Sequence, residues 1–142
     1  MKVKEIMSKD LASIRSEDSV ENAARLMKEY NVGSVPVCNN SQVVGIVTDR
    51  DITLRATARG QSAVSNKVSD VMSSNPVVGD PEMDVNEAAG IMSEKQIRRL
   101  PIVENNRLVG IVSLGDISTE PSQQRTAGEA LKNISDSGFG SM

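Results

Sequence analysis

This chain contains two copies of a short polar motif whose side chains are well suited to binding a small ligand. Both copies read Gly-x-x-[Thr/Ser]-x-x-Asp, and each follows an apolar, β-branched stretch. A hydroxyl side chain together with the free N–H groups of a helix start can hold a phosphate. A carboxylate three residues later can accept hydrogen bonds from both hydroxyls of a ribose. The two motifs therefore form candidate nucleotide-binding sites with these residues: Thr48, Asp51, Ser113 and Asp116.

The same spacing also has a purely structural interpretation. A hydroxyl followed three residues later by a carboxylate is the pattern of a capping box, which satisfies the first turn of a helix. The neighbouring residues favour a binding role, because Gly45 and Gly110 let another group approach the backbone closely. Arg50 adds positive charge to the first motif. The second motif lacks this arginine and has Arg98 and Arg99 as its candidates, for which a solvated surface pair is the alternative.

The elements that must position these motifs follow from the apolar pattern. Apolar residues at helical spacing from Val20 predict an amphipathic helix. Two β-branched stretches, at residues 35–37 and 43–48, predict strands paired across a polar turn. A second helix is predicted from about residue 49 to residue 59, ending at Gly60. The resulting unit is strand, helix, strand, strand, helix, which is an α/β (α+β) arrangement.

This unit occurs twice. Residues 3–52 align with residues 68–117 without a gap and with about 17 identities, which indicates an internal repeat. A unit of about 50 residues has too small an interior to be stable alone, so we expect the two copies to pack as one domain. The predicted organisation is repeat 1 at 1–60, a linker at 61–67, repeat 2 at 68–118, and a C-terminal tail with a short helix at 119–142.

Composition excludes several classes of function. The 142 residues include no His and one Cys, so a His/Cys zinc site, a Ser-His-Asp triad and a Cys-His pair cannot be assembled. We assign no catalytic or metal-binding residue and predict that the chain is not an enzyme. The net charge of −3, with Lys and Arg dispersed among carboxylates, disfavours nucleic acid as a partner. No apolar run is long enough to cross a membrane, and we expect a cytoplasmic protein.

Over about residues 2–118 the chain resembles tandem CBS-domain proteins, also called Bateman modules. The resemblance is carried by the repeated Ala-Ala-x-x-Met helix face, the Val-Pro-Val and Leu-Pro-Ile strands, and both Gly-Ile-Val-[Thr/Ser]-x-x-Asp endings. It implies two tandem βαββα CBS repeats packed as one pseudo-twofold module with two clefts. It also implies binding of AMP, ATP or related adenosine ligands, and assembly into a homodimer.

The resemblance also implies roles for individual residues. The ribose-binding carboxylates of the family fall on Asp51 and Asp116, and its hydroxyl residues on Thr48 and Ser113. The remaining expected ligand contacts comprise basic residues for the phosphates and backbone beside the adenine: Arg50, Arg98, Arg99, Ile14, Gly33 and Val78. Repeat 1 has Gly-Ser where repeat 2 has the arginine pair, so we expect the two clefts to differ in charge and in preferred ligand.

Two functions remain open at this point. The first is a regulatory module that binds an adenine nucleotide (AMP, ADP or ATP) between its repeats and signals to a partner protein by a conformational change, with S-adenosylmethionine and NAD as alternative ligands. The second is a ligand-independent dimerisation or scaffold module, in which the two motifs serve only as helix caps. The first requires no cofactor beyond its regulatory ligand, and its regulated protein is encoded elsewhere.

Overall fold

Two β-hairpins and the helices that follow them form the framework of the fold. The computed structural model describes residues 1–140 and the side-chain surroundings of residues 1–135. The strands are β1 (Ser34–Asn39), β2 (Gln42–Thr48), β3 (Ser73–Ser74), β4 (Arg99–Glu104) and β5 (Arg107–Ser113). The helices are α1 (Val20–Tyr30), α2 (Asp49–Arg55), α3 (Val68–Val71), α4 (Val85–Lys95), α5 (Leu114–Ser118) and α6 (Gln124–Gly140). The expected α/β class is confirmed.

The two hairpins close with the same kind of turn. Asn40 and Ser41 have φ angles of 54° and 68°, and Asn105 and Asn106 have φ angles of 52° and 65°. Two consecutive residues with positive φ between antiparallel strands form a turn whose twist matches that of the strands, and Asn tolerates this conformation well. The polar residues between the apolar stretches therefore set the register of each hairpin.

The chain divides into two compact units, which we call unit 1 and unit 2. Unit 1 comprises Met1–Leu11, Val77–Asn105 and residues 109–140, and unit 2 comprises Ala12–Pro76 and Asn106–Leu108. Each unit has its own aliphatic core. The largest fully buried side chains of unit 1 are Val3, Val85, Met92, Leu100, Ile102 and Ile117. Those of unit 2 are Val20, Val35, Val37, Val47, Val68 and Val71.

The compact units exchange the segments that begin the two sequence repeats. Val3 opens the first repeat but lies in the core of unit 1, while Val68 opens the second repeat and lies in the core of unit 2. Hydrogen bonds hold both segments in place. The Val3 N–H donates to Met83 O at 2.8 Å, and the Val68 N–H donates to Asp18 O at 2.8 Å. Each unit is thus built from parts of both repeats.

Gly45 and Gly110 provide space for these segments. A Cβ atom on Gly45 would lie 2.8 Å from the carbonyl oxygen of Ser73, which pairs with β2 as part of β3. A Cβ on Gly110 would lie 2.9 Å from Cγ of Met7. The group that approaches each glycine closely is therefore a segment of the protein's own chain, which packs within the same unit.

The strand predicted ahead of each long helix is reduced to a single bridge. Ile14 pairs in parallel with Val37, and Gly79 pairs in parallel with Ile102. The helices then begin at polar caps. Ser19 Oγ accepts from the N–H of Asn22 at the start of α1, and a carboxylate caps α4 in the same way. The apolar faces of both helices pack onto the cores of their units.

The tail forms one long helix, α6. Ala127 and Ala130 on this helix are 4% and 2% exposed and belong to the core of unit 1, and Ile134 packs against the same cluster. The helix packs on α4 and α5. Small side chains at these positions allow the helix to lie close to its neighbours.

Candidate functional site

The first motif forms a complete capping box at the start of α2. The Asp51 N–H donates to Oγ1 of Thr48 at 3.0 Å, and the Thr48 N–H donates to Oδ2 of Asp51 at 2.9 Å. The other carboxylate oxygen of Asp51, Oδ1, lies 4.0 Å from a guanidinium nitrogen of Arg55, one turn further along the helix. The side chains of this motif are therefore engaged within unit 2.

The second motif repeats this geometry at the start of α5, with one difference. The Asp116 N–H donates to Oγ of Ser113 at 3.0 Å, and the Ser113 N–H donates to Oδ2 of Asp116 at 2.9 Å. Among the side chains of residues 1–135, Oδ1 of Asp116 has no hydrogen-bond or ion-pair partner. This carboxylate therefore keeps one oxygen available as an acceptor.

Arg98 and Arg99 lie beside the second motif. The Leu114 N–H donates to the Arg98 carbonyl oxygen at 2.8 Å, which joins the start of α5 to the chain just before β4. In the part of the chain that the structure describes, neither guanidinium group forms an ion pair with a carboxylate. Two positive charges with no carboxylate partner among the side chains described, next to a helix start, form an attractive position for an anion.

A cavity of about 530 Å³ opens at this position in unit 1. On the side of β4 and α5, its lining residues are Arg98, Arg99, Ser113, Leu114, Gly115 and Ser118. Small-molecule sites in proteins have volumes of about 300–1,000 Å³, so the cavity has the size of a small-molecule site. The structure thus brings three of the predicted site residues to one cavity, with Asp116 hydrogen-bonded directly to Ser113.

The equivalent position in unit 2 has a different charge. The Asp49 N–H donates to the Gly33 carbonyl oxygen at 2.9 Å, as the Leu114 N–H does to Arg98 in unit 1. The Asp49 carboxylate lies beside Gly33, and its Oδ2 would be 3.1 Å from a Cβ on that glycine. Arg50 is exposed, and its N–H donates to Oδ1 of Asp49 at 2.8 Å. A carboxylate therefore stands where unit 1 has an apolar side chain.

Of the three predicted adenine neighbours, Ile14 and Val78 lie on or beside short parallel bridges, whereas Gly33 lies beside Asp49. Ile14 is 5% exposed, its N–H donates to Pro36 O at 3.1 Å, and its carbonyl accepts from the Cys38 N–H at 2.8 Å. Val78 is half-buried in unit 1 and precedes the bridge at Gly79. Because the N–H of Ile14 is already paired, this residue can offer a ligand no backbone donor, only van der Waals contact and the second lone pair of its carbonyl oxygen.

Sequence reasoning missed one side of the cavity in unit 1. Its remaining lining residues come from α6: Gln124, Ala127, Gly128 and Leu131. The helical spacing of the tail predicted a helix there, but its place beside the second motif is a tertiary feature without a local sequence signal.

Comparison with known proteins agrees with this architecture. The family model of the CBS domain matches residues 3–56 and 68–122. The chain is 45% identical over 133 residues to the CBS domain-containing protein YhcV of Bacillus subtilis, covering 94% of each chain. It is 36% identical over 110 residues to an inosine-5'-monophosphate dehydrogenase of Korarchaeum cryptofilum, covering 77% of this chain and 22% of that protein. The chain therefore belongs to the CBS domain family and carries two tandem CBS repeats.

A solved structure with a similar fold contains adenosine compounds. The CBS domain pair of protein MJ0100, solved in complex with 5'-methylthioadenosine and S-adenosyl-L-methionine, matches with a TM-score of 0.76 at 28% identity. The match covers 91% of this chain and 98% of that one. Stand-alone proteins with a CBS domain pair are generally regulatory, and the family model that matches this chain is not that of a catalytic family. Within residues 1–140, none of the helices combines the length and apolar character that a membrane span requires.

Proposed function

We propose that this protein is a regulatory sensor of adenine nucleotides and that its main ligand site is the cavity in unit 1. The observation that carries the proposal is that Arg98 and Arg99 line this cavity together with Ser113 and that neither forms an ion pair with a carboxylate among residues 1–135. An anionic ligand compensates both charges. No covalent bond is made or broken, and the bound state is read by a partner protein.

The capping geometry of unit 1 is compatible with ligand binding. Ser113 Oγ accepts a hydrogen bond from the Asp116 N–H, which leaves the hydroxyl proton of Ser113 free to donate to a phosphate oxygen. Asp116 uses Oδ2 for the Ser113 N–H, so its Oδ1 can accept from a ribose hydroxyl. The same two residues can therefore cap α5 and bind a nucleotide.

The site in unit 2 favours a less negatively charged ligand. The Asp49 carboxylate lies beside Gly33, and the position equivalent to the arginine pair has no guanidinium group. Asp51 retains the carboxylate for a ribose, Thr48 retains the hydroxyl, and Arg50 is the one basic residue of that motif. We infer that this site prefers a neutral or cationic adenosine compound of the S-adenosylmethionine type, because Asp49 repels phosphates.

A scaffold function is the second candidate, and the complete capping boxes favour it. Reciprocal hydrogen bonds at 2.9–3.0 Å in both motifs give these residues a structural role without any ligand. In unit 2, Tyr30 and Leu54 remain 38% and 48% exposed on helices, which suits an interface with a second copy or a partner. A homodimer is compatible with both candidates.

Titration calorimetry with AMP, ADP, ATP, NAD and S-adenosylmethionine tests the proposal. We expect one of the nucleotides to bind the wild-type protein and the double variant Arg98→Ala, Arg99→Ala to bind it at least roughly ten- to hundred-fold more weakly, since the loss of even one charged hydrogen bond costs about 1.5–3 kcal/mol. Arg59→Ala is the matched control, because it removes an exposed arginine from unit 2 and should leave the affinity unchanged. If none of the five compounds binds the wild-type protein, the sensor function is wrong and the scaffold function takes its place.

A further inference from the structure

The C-terminal helix α6 presents one side to the cavity of unit 1. Gln124, Gly128 and Leu131 are spaced by four and three residues, so they lie along one stripe of the helix, and Ala127 borders the same stripe. Ala127 and Ala130 anchor the helix in the core of unit 1. The helix is thus fixed by its buried alanines while its neighbouring stripe lines the cavity.

Gly128 lies in the middle of this stripe. A Cβ atom built on Gly128 would meet no atom within 4 Å, and the residue is exposed and lines the cavity. A side chain at this position would therefore enter open space beside the cavity that Gly128 lines. Leu131 is 44% exposed and presents an apolar side chain to the same space.

The lining combines two chemically different parts. Arg98 and Arg99 supply positive charge, and Ala127, Gly128 and Leu131 supply a small apolar surface. A ligand that satisfies both parts carries an anionic group joined to a flat, weakly polar ring, which is the make-up of a purine nucleotide. A flat ring can lie directly against a glycine backbone, because no side chain stands in its way.

We propose that α6 forms a wall of the nucleotide site in unit 1 and that Gly128 determines how large a ligand the site admits. This inference rests on the function proposed above and extends it to the tail. Ligand binding also stabilises the docked position of α6, since the ligand and the helix are in contact. The C-terminal segment is then part of the sensing device.

The experiment compares two glycines in similar surroundings. Gly90 on α4 is also a helical, exposed glycine with no atom within 4 Å of an added Cβ, but it does not line the cavity. We expect Gly128→Leu to weaken binding of the nucleotide identified above by about tenfold or more. The leucine side chain would occupy space that the ligand needs, and the resulting steric clash is comparable to overpacking in a protein core. Gly90→Leu should bind as the wild type does. Both changes remove a helical glycine, so their effects on helix propensity are matched.

Hydrogen exchange on the wild-type protein provides a readout that needs no variant. We expect the amides of residues 124–131 to exchange more slowly when the nucleotide is added, and those of α1 in unit 2 to change little. Wild-type affinity in Gly128→Leu, or unchanged exchange in residues 124–131 at saturating nucleotide, would overturn the role of α6 and leave the sensor function standing. Absence of nucleotide binding by the wild type would overturn the sensor function and this inference together.

Discussion

Replacing Ser113 with alanine separates the capping role of this residue from its proposed role in ligand binding. The substitution removes the oxygen that accepts from the Asp116 N–H at 3.0 Å, and it also removes the hydroxyl proton that we assign to a phosphate. Thr48→Ala makes the same change to the capping box of unit 2, where Oγ1 accepts from the Asp51 N–H at 3.0 Å. The two variants therefore form a matched pair.

The two roles have different magnitudes. Loss of an N-cap hydroxyl costs about 1 kcal/mol, which lowers the melting temperature of a domain of this size by about 2–4 °C in both variants. A ligand at about 100 times its dissociation constant stabilises the wild type by about 2.7 kcal/mol. If Ser113→Ala weakens binding tenfold, the same ligand concentration contributes only about 1.4 kcal/mol. The ligand-induced rise in melting temperature should therefore fall to about half.

The assay is thermal unfolding of wild type, Ser113→Ala and Thr48→Ala, each with and without the nucleotide identified by calorimetry. We expect the unliganded melting temperatures of both variants to fall together. We expect the nucleotide-induced rise to be halved in Ser113→Ala and unchanged in Thr48→Ala. An undiminished rise in Ser113→Ala would refute the assignment of its hydroxyl to the ligand and leave the residue as a helix cap alone.

Two further predictions concern groups outside the ligand site. Hydrogen bonds from Lys2 and Lys4 lower the pKa of Glu82 in the folded protein to about 2. In the unfolded chain the pKa of a Glu side chain is about 4.3, so the ionised carboxylate stabilises the fold above that pH, and this stabilisation is lost as the pH falls towards 2. The difference in melting temperature between wild type and Glu82→Gln should therefore shrink steadily below pH 5, and a constant difference down to pH 2 would contradict this origin. Burial raises the pKa of the Cys38 thiol, which is 8% exposed, so a thiol reagent at pH 8 should label it far more slowly in native than in urea-unfolded protein. Equal labelling rates in the two states would show that this strand is open to solvent.

Much of the local structure could be predicted from the sequence because its signals are short-range. The apolar periodicity from Val20 predicted α1, and the polar residues around Asn40 predicted the turn of the first hairpin. The hydroxyl-x-x-carboxylate spacing predicted the capping boxes, since the partners in each box are three residues apart. Interactions of this kind depend on chain geometry over one helical turn or one hairpin.

The exchange of segments between the units could not be predicted in this way. The segment ending in Met7 and Ser8 and the segment ending in Met72 and Ser73 have nearly the same residues, and each can fit against a glycine in the same Gly-Ile-Val stretch. A repeat offers two equivalent partners for each segment, so local sequence does not distinguish them. Which unit each segment joins depends on which of them the connecting chain can reach, and this is a property of the whole fold.

By itself, the sequence determined the duplicated architecture, the two hydroxyl-carboxylate motifs and the difference in basic residues between them. These features depend only on residue type and spacing, so they are the same whatever the arrangement of the helices and strands in space. Only the tertiary structure decided that Arg98 and Arg99 line a cavity with Ser113, and that α6 supplies another side of it. The physical reason is that a cavity is bounded by segments far apart in the chain. Their meeting depends on the burial of residues such as Ala127 in the core of unit 1, and not on any local motif.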